Sequence, residues 1–346
     1  MSFLLDLLKK LFGLSDPPAD SPAEPATDSP ADPQPDSVDV VIPEPAQTTV
    51  NRVLLIIYNP TMDAASGEKL TDQSGWQLPE DLVVGFSADI QQTSHGMARY
   101  EIVERIEVDE FPMLEDGFRY SPSLYLDALH GVTPPHQPQG ADYNAIIEEF
   151  NILERVENDE IDEVWLMAFP YAGLHESVMG GKDAFWCNAP PLKGTAHVHK
   201  RFIIMGFSYE RGVGEMLESF GHRLESLMEK TFSRRYGEAN LWERYTRYDK
   251  KNPGQAEVGT VHFAPNSERD YDWGNLRYVP SACDDWLNFP HFRGEIRQVN
   301  ANDWGNGDIR LHHQWWQTRI PHVAGRQNGI HNNWWQYIMN PNNVDV

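Results

Sequence analysis

Three short, unbroken apolar runs constrain this chain more than any other feature: RVLLIIY at 52–58, EVWLMAF at 163–169 and RFIIMGF at 201–207. Each is too short for an ordinary helix and too evenly apolar for a strand with one face in water. Each therefore reads as a strand covered on both faces. Helical patterns stand between them. Residues 79–95 open on a proline, 142–158 carry a second apolar stripe, and 213–232 a long one. Residues 100–108, YEIVERIEV, alternate apolar and charged like a strand with one wet face. Strands that alternate with helices predict an α/β fold, a mostly parallel sheet with helices on its faces.

The character of the chain changes at about residue 237. Eight of the 11 tryptophans lie beyond it, among Asn, Asp, Gly and His, with little clean periodicity. The expectation is a long irregular segment over 237–346, helical near 312–318 and 332–339. It should pack on the α/β domain of 50–236 and complete the same globular unit.

The N-terminus differs again. In MSFLLDLLKKLFGL, residues 1–14, eight large apolar side chains fill one arc of a helical projection, while Ser2, Asp6, Lys9, Lys10 and Gly13 fill the other. That is an amphipathic helix, too short to be stable alone in water. Residues 15–49 hold nine of the 25 prolines and eight acids with no Lys or Arg, including the near-repeats ADSPAEPA and TDSPADPQ. Such a stretch buries no apolar surface and repels itself, so an extended, disordered linker is predicted. Asp6, Lys9 and Lys10 interrupt the apolar run and no A-x-A-like site follows, so no cleavable signal peptide is expected. The chain reads as cytoplasmic or delivered by a non-classical route.

Composition excludes several classes. With 52 acids against 28 basic residues the net charge is −24, the wrong sign for a general nucleic-acid binder. Two cysteines, Cys187 and Cys283, exclude a disulfide scaffold and a Cys-only zinc site but leave one disulfide open. No apolar run approaches the roughly 20 residues that span a bilayer.

The sharpest chemical pattern lies on the long helix. Met216, Leu217, Phe220, Leu224, Leu227 and Met228 make one face, and Glu218, His222, Glu225 and Glu229 make a stripe opposite. A histidine with carboxylates one turn to either side suits a divalent metal such as zinc. The H-E-x-x-H spacing of helical zinc peptidases follows the same logic, but Glu218 stands where its first histidine would be. Glu218 and His222 are the candidate ligands, and Glu225 a third ligand or general base. Glu176, in the PYAGLHES segment after the 163–169 strand, and His262, in a strand-like VHF, are the candidates to complete the shell. The plain alternative is a solvated charged face.

Weaker patterns accompany it. Asn59, Asp63, Tyr171 and His175 follow strands, where α/β sheets bind ligands. Asn266, Glu268, Asp270 and Asp272 follow VHF. His197 and His199 precede a strand, at its wrong end. Ser208 sits in a strand-to-helix GFSYE, the setting of a nucleophile elbow, but Glu210 replaces the second glycine. RGVGE at 211–215 lacks the features of a phosphate loop. HHQWW at 312–316, His322 and NNWW at 332–335 suit either packing or stacking on sugar rings.

The sequence thus points to a metal-dependent hydrolase, peptidase-like in its spacing logic. A non-catalytic module that holds a glycan or protein on the Trp/His/Asn-rich half is the competing expectation. The two separate on whether the helix stripe is covered by the C-terminal half, because buried carboxylates need cations. Residues 1–14 are expected to seat in a protein groove or assembly, with a membrane surface second, since two lysines against Asp6 and an acidic linker give weak attraction to anionic lipid. Fused to a fluorescent protein, residues 1–49 should co-purify with a protein partner, and deletion of residues 1–14 should abolish that association while the core stays folded. Equal binding to vesicles of any composition would transfer the assignment to the membrane.

Overall fold

The computed structural model describes residues 46–345. The expectations for residues 1–14 and for the linker up to residue 45 lie outside them. The apolar runs form the centre of a five-stranded sheet. β1 (Thr49–Tyr58), β2 (Ala98–Val108), β3 (Glu163–Ala168), β4 (Ser177–Gly180) and β5 (Phe202–Ser208) are ordered β2-β1-β3-β5-β4. β1 runs parallel to β2 and β3, and β3 parallel to β5. Only the edge strand β4 is antiparallel, against β5. This is the α/β architecture the sequence implies. The burial of Val53–Tyr58 of β1 and of all of β3 explains their lack of alternation, while β2, at an edge, alternates as read.

Helices α1 (Pro79–Thr93) and α4 (Val213–Phe232) pack together, α1 also on β2 and α4 on β5. Phe86 of α1 meets Trp165, Phe207 and Phe220 edge-on or tilted, joining both helices to the sheet. The region read as one helix over 142–158 is two, α2 (Tyr143–Glu149) and α3 (Ile152–Glu157). Asn151 separates them in a left-handed conformation, φ 52°, which a continuous helix does not allow.

The C-terminal half folds onto this frame. α5 (Ile309–Thr318) packs on α4 and α1, and α6 (Trp335–Met339) packs on β1 and α4. The expected helix over 332–339 begins only at Trp335, because residues 330–333 pair as a strand with 322–327. The VHF segment is a turn and not a strand. Six of the seven tryptophans from Trp273 to Trp335 are buried and Trp315 is partly so, hence packing material. Cys187 and Cys283 are buried and free. No helix among the described residues is long and apolar enough to cross a membrane.

A buried ion pair fixes α4 on the sheet. Arg223 Nη1 donates to Glu163 Oε1 at 2.6 Å, and the two side chains are 0% and 1% exposed. Glu163 also accepts from Asn51 and the Trp165 indole, while Arg223 Nη2 reaches the carbonyls of Ile338 and Met339 at the end of α6. Glu163→Ala leaves an unpaired buried guanidinium and should cost about 3–5 kcal/mol in urea denaturation. Glu295→Ala, which breaks the exposed Arg293–Glu295 pair, should change stability by about 0–1 kcal/mol.

Candidate metal centre

The site is assembled on α4. Its apolar face takes the sheet, so the stripe opposite points away from the core. Two glycines lie along one edge of that stripe, seven residues apart. A Cβ on Gly214 would stand 2.4 Å from Ile309 Cγ2, and one on Gly221 would stand 2.6 Å from Val261 Cγ2. Their absence of side chains lets α5 and the 259–263 turn close over the helix beside Glu218. The stripe is consequently graded. Glu218 is buried, His222 and Glu225 are half-buried, and Glu229 is exposed.

Three of the sequence candidates come together here. One ligand atom from each of Glu218, His222 and His262 lies within 4.8 Å of the others, and the three can hold a metal ion. His262 Nε2 is 3.1 Å from Glu218 Oε1, and its Nδ1 is 3.0 Å from Asp270 Oδ1. The His222 and His262 rings meet edge to face at 4.7 Å. His222 lies between two further carboxylates, with Nε2 3.8 Å from Glu176 Oε2 and Nδ1 3.6 Å from Glu225 Oε2. The other oxygen of Glu225 accepts the Val261 amide at 2.9 Å and so anchors the turn that carries His262.

The electrostatics follow from this crowding. Burial would raise the Glu218 carboxyl, but hydrogen bonds from His262 and Tyr271 outweigh it and hold it below the usual range. Burial opposes charge on His222 and His262 as well. Hydrogen bonds and nearby carboxylates prevail, Glu225 and Glu176 at His222 and Glu218 and Asp270 at His262, and both imidazoles titrate above an ordinary histidine. Tyr271, partly desolvated beside Glu218, is pushed up to about 12. Each imidazole thus has a carboxylate at each nitrogen. When one nitrogen turns to a metal, the other still faces a carboxylate, in hydrogen-bond contact at His262 and at 3.6–3.8 Å at His222, the kind of outer partner that orients ligands in metalloproteins.

The remaining candidates have other duties. Asn59 holds Thr71 through both side-chain atoms, and Asp63 caps a turn at Ala65. His175 stacks on Tyr143, and His199 pairs with Glu157 in a loop outside the strand. His322 stacks on His95 at 3.7 Å. The Ser208 Oγ has no hydrogen-bond partner, so the histidine base of a nucleophile elbow is missing. Ser208, Tyr171 and Glu176 line a cavity of about 240 Å³ beyond the carboxyl ends of β3 and β5, with Ser219 of α4 on its wall. Tyr271 and the pairing of Asp270 with His262 were not legible as site features in the sequence. Among known proteins, no family model, no curated protein and no solved structure matches this chain.

A metal that takes both imidazoles must displace their protons. Binding should therefore release protons, approaching two per ion near pH 6 and fewer as pH rises, as read by calorimetry in buffers of different ionisation enthalpy. The linkage sign for the metal-free protein is the reverse of an acid's. Stability from these raised imidazoles is complete below about pH 6.5 and is lost as pH climbs through their folded values. Thermal melts of chelator-treated protein should fall as pH rises above about 6.5, and added metal should restore the loss.

Proposed function

We propose that this chain is a metal-dependent hydrolase with peptidase-like chemistry, holding a divalent ion, zinc as first choice, on Glu218, His222 and His262. The convergence of those three side chains, from α4 and a turn 40 residues further on, is the observation that supports the reading. Two imidazoles and one carboxylate are a donor set of catalytic zinc sites that keep a position for water. Such an ion supplies a Lewis acid for a carbonyl and an acidified water.

The flanking carboxylates divide the remaining work. Glu225 is committed at both oxygens, to the Val261 amide and toward His222, and acts as a positioning residue. Glu176 is the more exposed, lines the cavity and lies beside His222, so it is the candidate general base for the attacking water. The cavity at the carboxyl ends of the strands is where an open α/β sheet receives its substrate.

Metal analysis of protein purified without chelator should give about one divalent ion per chain, and His222→Ala should remove it. Turnover is to be read on p-nitrophenyl esters and a fluorogenic peptide mixture. Glu176→Gln should keep the metal and lose about 10²–10⁴-fold in kcat/KM, as expected for a general base. Unchanged metal content in His222→Ala would reduce the stripe to a set of charge pairs without a metal and remove the hydrolase reading.

A further inference from the structure

His313 belongs to the part of the sequence that suggested aromatic platforms, yet its surroundings are those of a ligand. It is fully buried. Its Nδ1 is 2.7 Å from the Ile309 carbonyl, which can only accept, so Nδ1 carries the hydrogen and Nε2 presents a lone pair. That Nε2 has no partner in the protein. An orphaned buried acceptor is destabilising, and such groups call for a ligand, water or ion.

The register of α5 on α4 says where the lone pair lies. Ile309 packs at Gly214, Trp316 at Gly221, and Gln317 Nε2 donates to the Leu217 carbonyl at 3.3 Å. Residues 309, 313, 316 and 317 share one face of α5. His313 therefore meets α4 between Gly214 and Gly221, at the level of Glu218. Burial first of all, opposed by the hydrogen bond to the Ile309 carbonyl and by Glu218 and aided by the charges of His222 and His262, depresses the imidazole to about 4, so it stays neutral at any ordinary pH.

We propose that His313, through Nε2, is a fourth protein ligand of the metal centre, which becomes a three-imidazole, one-carboxylate site. This inference rests on the metal-centre reading above. Its Nδ1–H held by a main-chain carbonyl is the usual condition of a ligating histidine. Four protein donors close a tetrahedral zinc, so a water-bearing centre on this set takes a fifth or sixth position, which manganese, iron, cobalt or nickel accept readily and catalytic zinc adopts in its transition states.

The experiment uses the full chain loaded with cobalt(II). His313→Leu should weaken cobalt binding at least 10-fold and alter the visible cobalt spectrum. Chelator-treated His313→Leu should melt no lower than the chelator-treated parent, because it removes a buried nitrogen that has no partner. A residue present only for packing would lower that melt and leave the spectrum unchanged, and this result would overturn the proposal. Cobalt affinity and spectrum unchanged in His313→Leu but lost in His222→Ala would overturn it too, with the three-residue centre intact. Absence of cobalt binding by the parent protein would overturn both readings together.

Discussion

The Arg223–Glu163 pair is the interaction on which the rest depends. Removing two ions from water costs several kcal/mol each, and a single contact does not offset that. Here the acid sits at the first residue of β3 and accepts from Asn51 and Trp165 as well as from Arg223. The guanidinium spends its remaining reach on the last carbonyls of α6. One pair thereby joins the central sheet, α4 and the C-terminal helix. It also fixes the rotation of α4 about its own axis. With Arg223 held inward, Gly214 and Gly221 turn toward α5, and the stripe from Glu218 to Glu225 faces the 259–271 segment.

The site it orients is balanced in two protonation states. Four carboxylates, Glu176, Glu218, Glu225 and Asp270, surround two imidazoles. With both imidazoles charged the group carries a surplus of two negative charges. Exchanging those two protons for one divalent ion leaves the surplus unchanged. The metal-free protein thus uses protons in the role a cation would take, and while the imidazoles stay charged the buried Glu218 has its counter-charge. This explains how a carboxylate can be covered by a turn and a helix without unfolding the region around it.

Much of this was legible in the sequence, and the parts that were not have physical reasons. Apolar runs showed the buried strands because both faces of a central strand are covered, and α4 was read with its observed bounds because its apolar and charged faces are clean. The edge strand β4 was missed: four residues, SVMG, carry no period. The helix over 142–158 was read through Asn151, since a left-handed residue leaves no mark on hydrophobic periodicity. The stripe gave Glu218 and His222, and position after a strand gave Glu176. His262 reads from the sequence as part of a strand; it lies in a turn that Glu225 holds at Val261, beside Glu218 and His222. His313 stands among the aromatics in the sequence because its role depends on how α5 lies on α4, contacts 95 to 100 residues apart in sequence. The one local trace of that packing was the Gly214–Gly221 spacing on the edge of the charged stripe.

The tryptophans complete the argument. An irregular backbone leaves gaps that regular elements would fill, and large rings close them, while an indole also brings a donor that can fasten a neighbouring loop. Several of these donors are spent on the loops around the site. Trp316 Nε1 donates to the Gly259 carbonyl at 3.0 Å, Trp286 Nε1 to Glu257 Oε2 at 2.9 Å, and Trp304 Nε1 to the Trp273 carbonyl at 2.8 Å. The turn that carries His262 is therefore fastened twice, by Glu225 of α4 at Val261 and by Trp316 of α5 at Gly259. Both fastenings come from helices whose relative position the glycine pair sets. A ligand on a turn held from two packed helices has little freedom to drift, which is what a preformed centre requires. The Trp-rich half reads as the scaffold that brings His262 and His313 to α4, with its rings turned inward to do so.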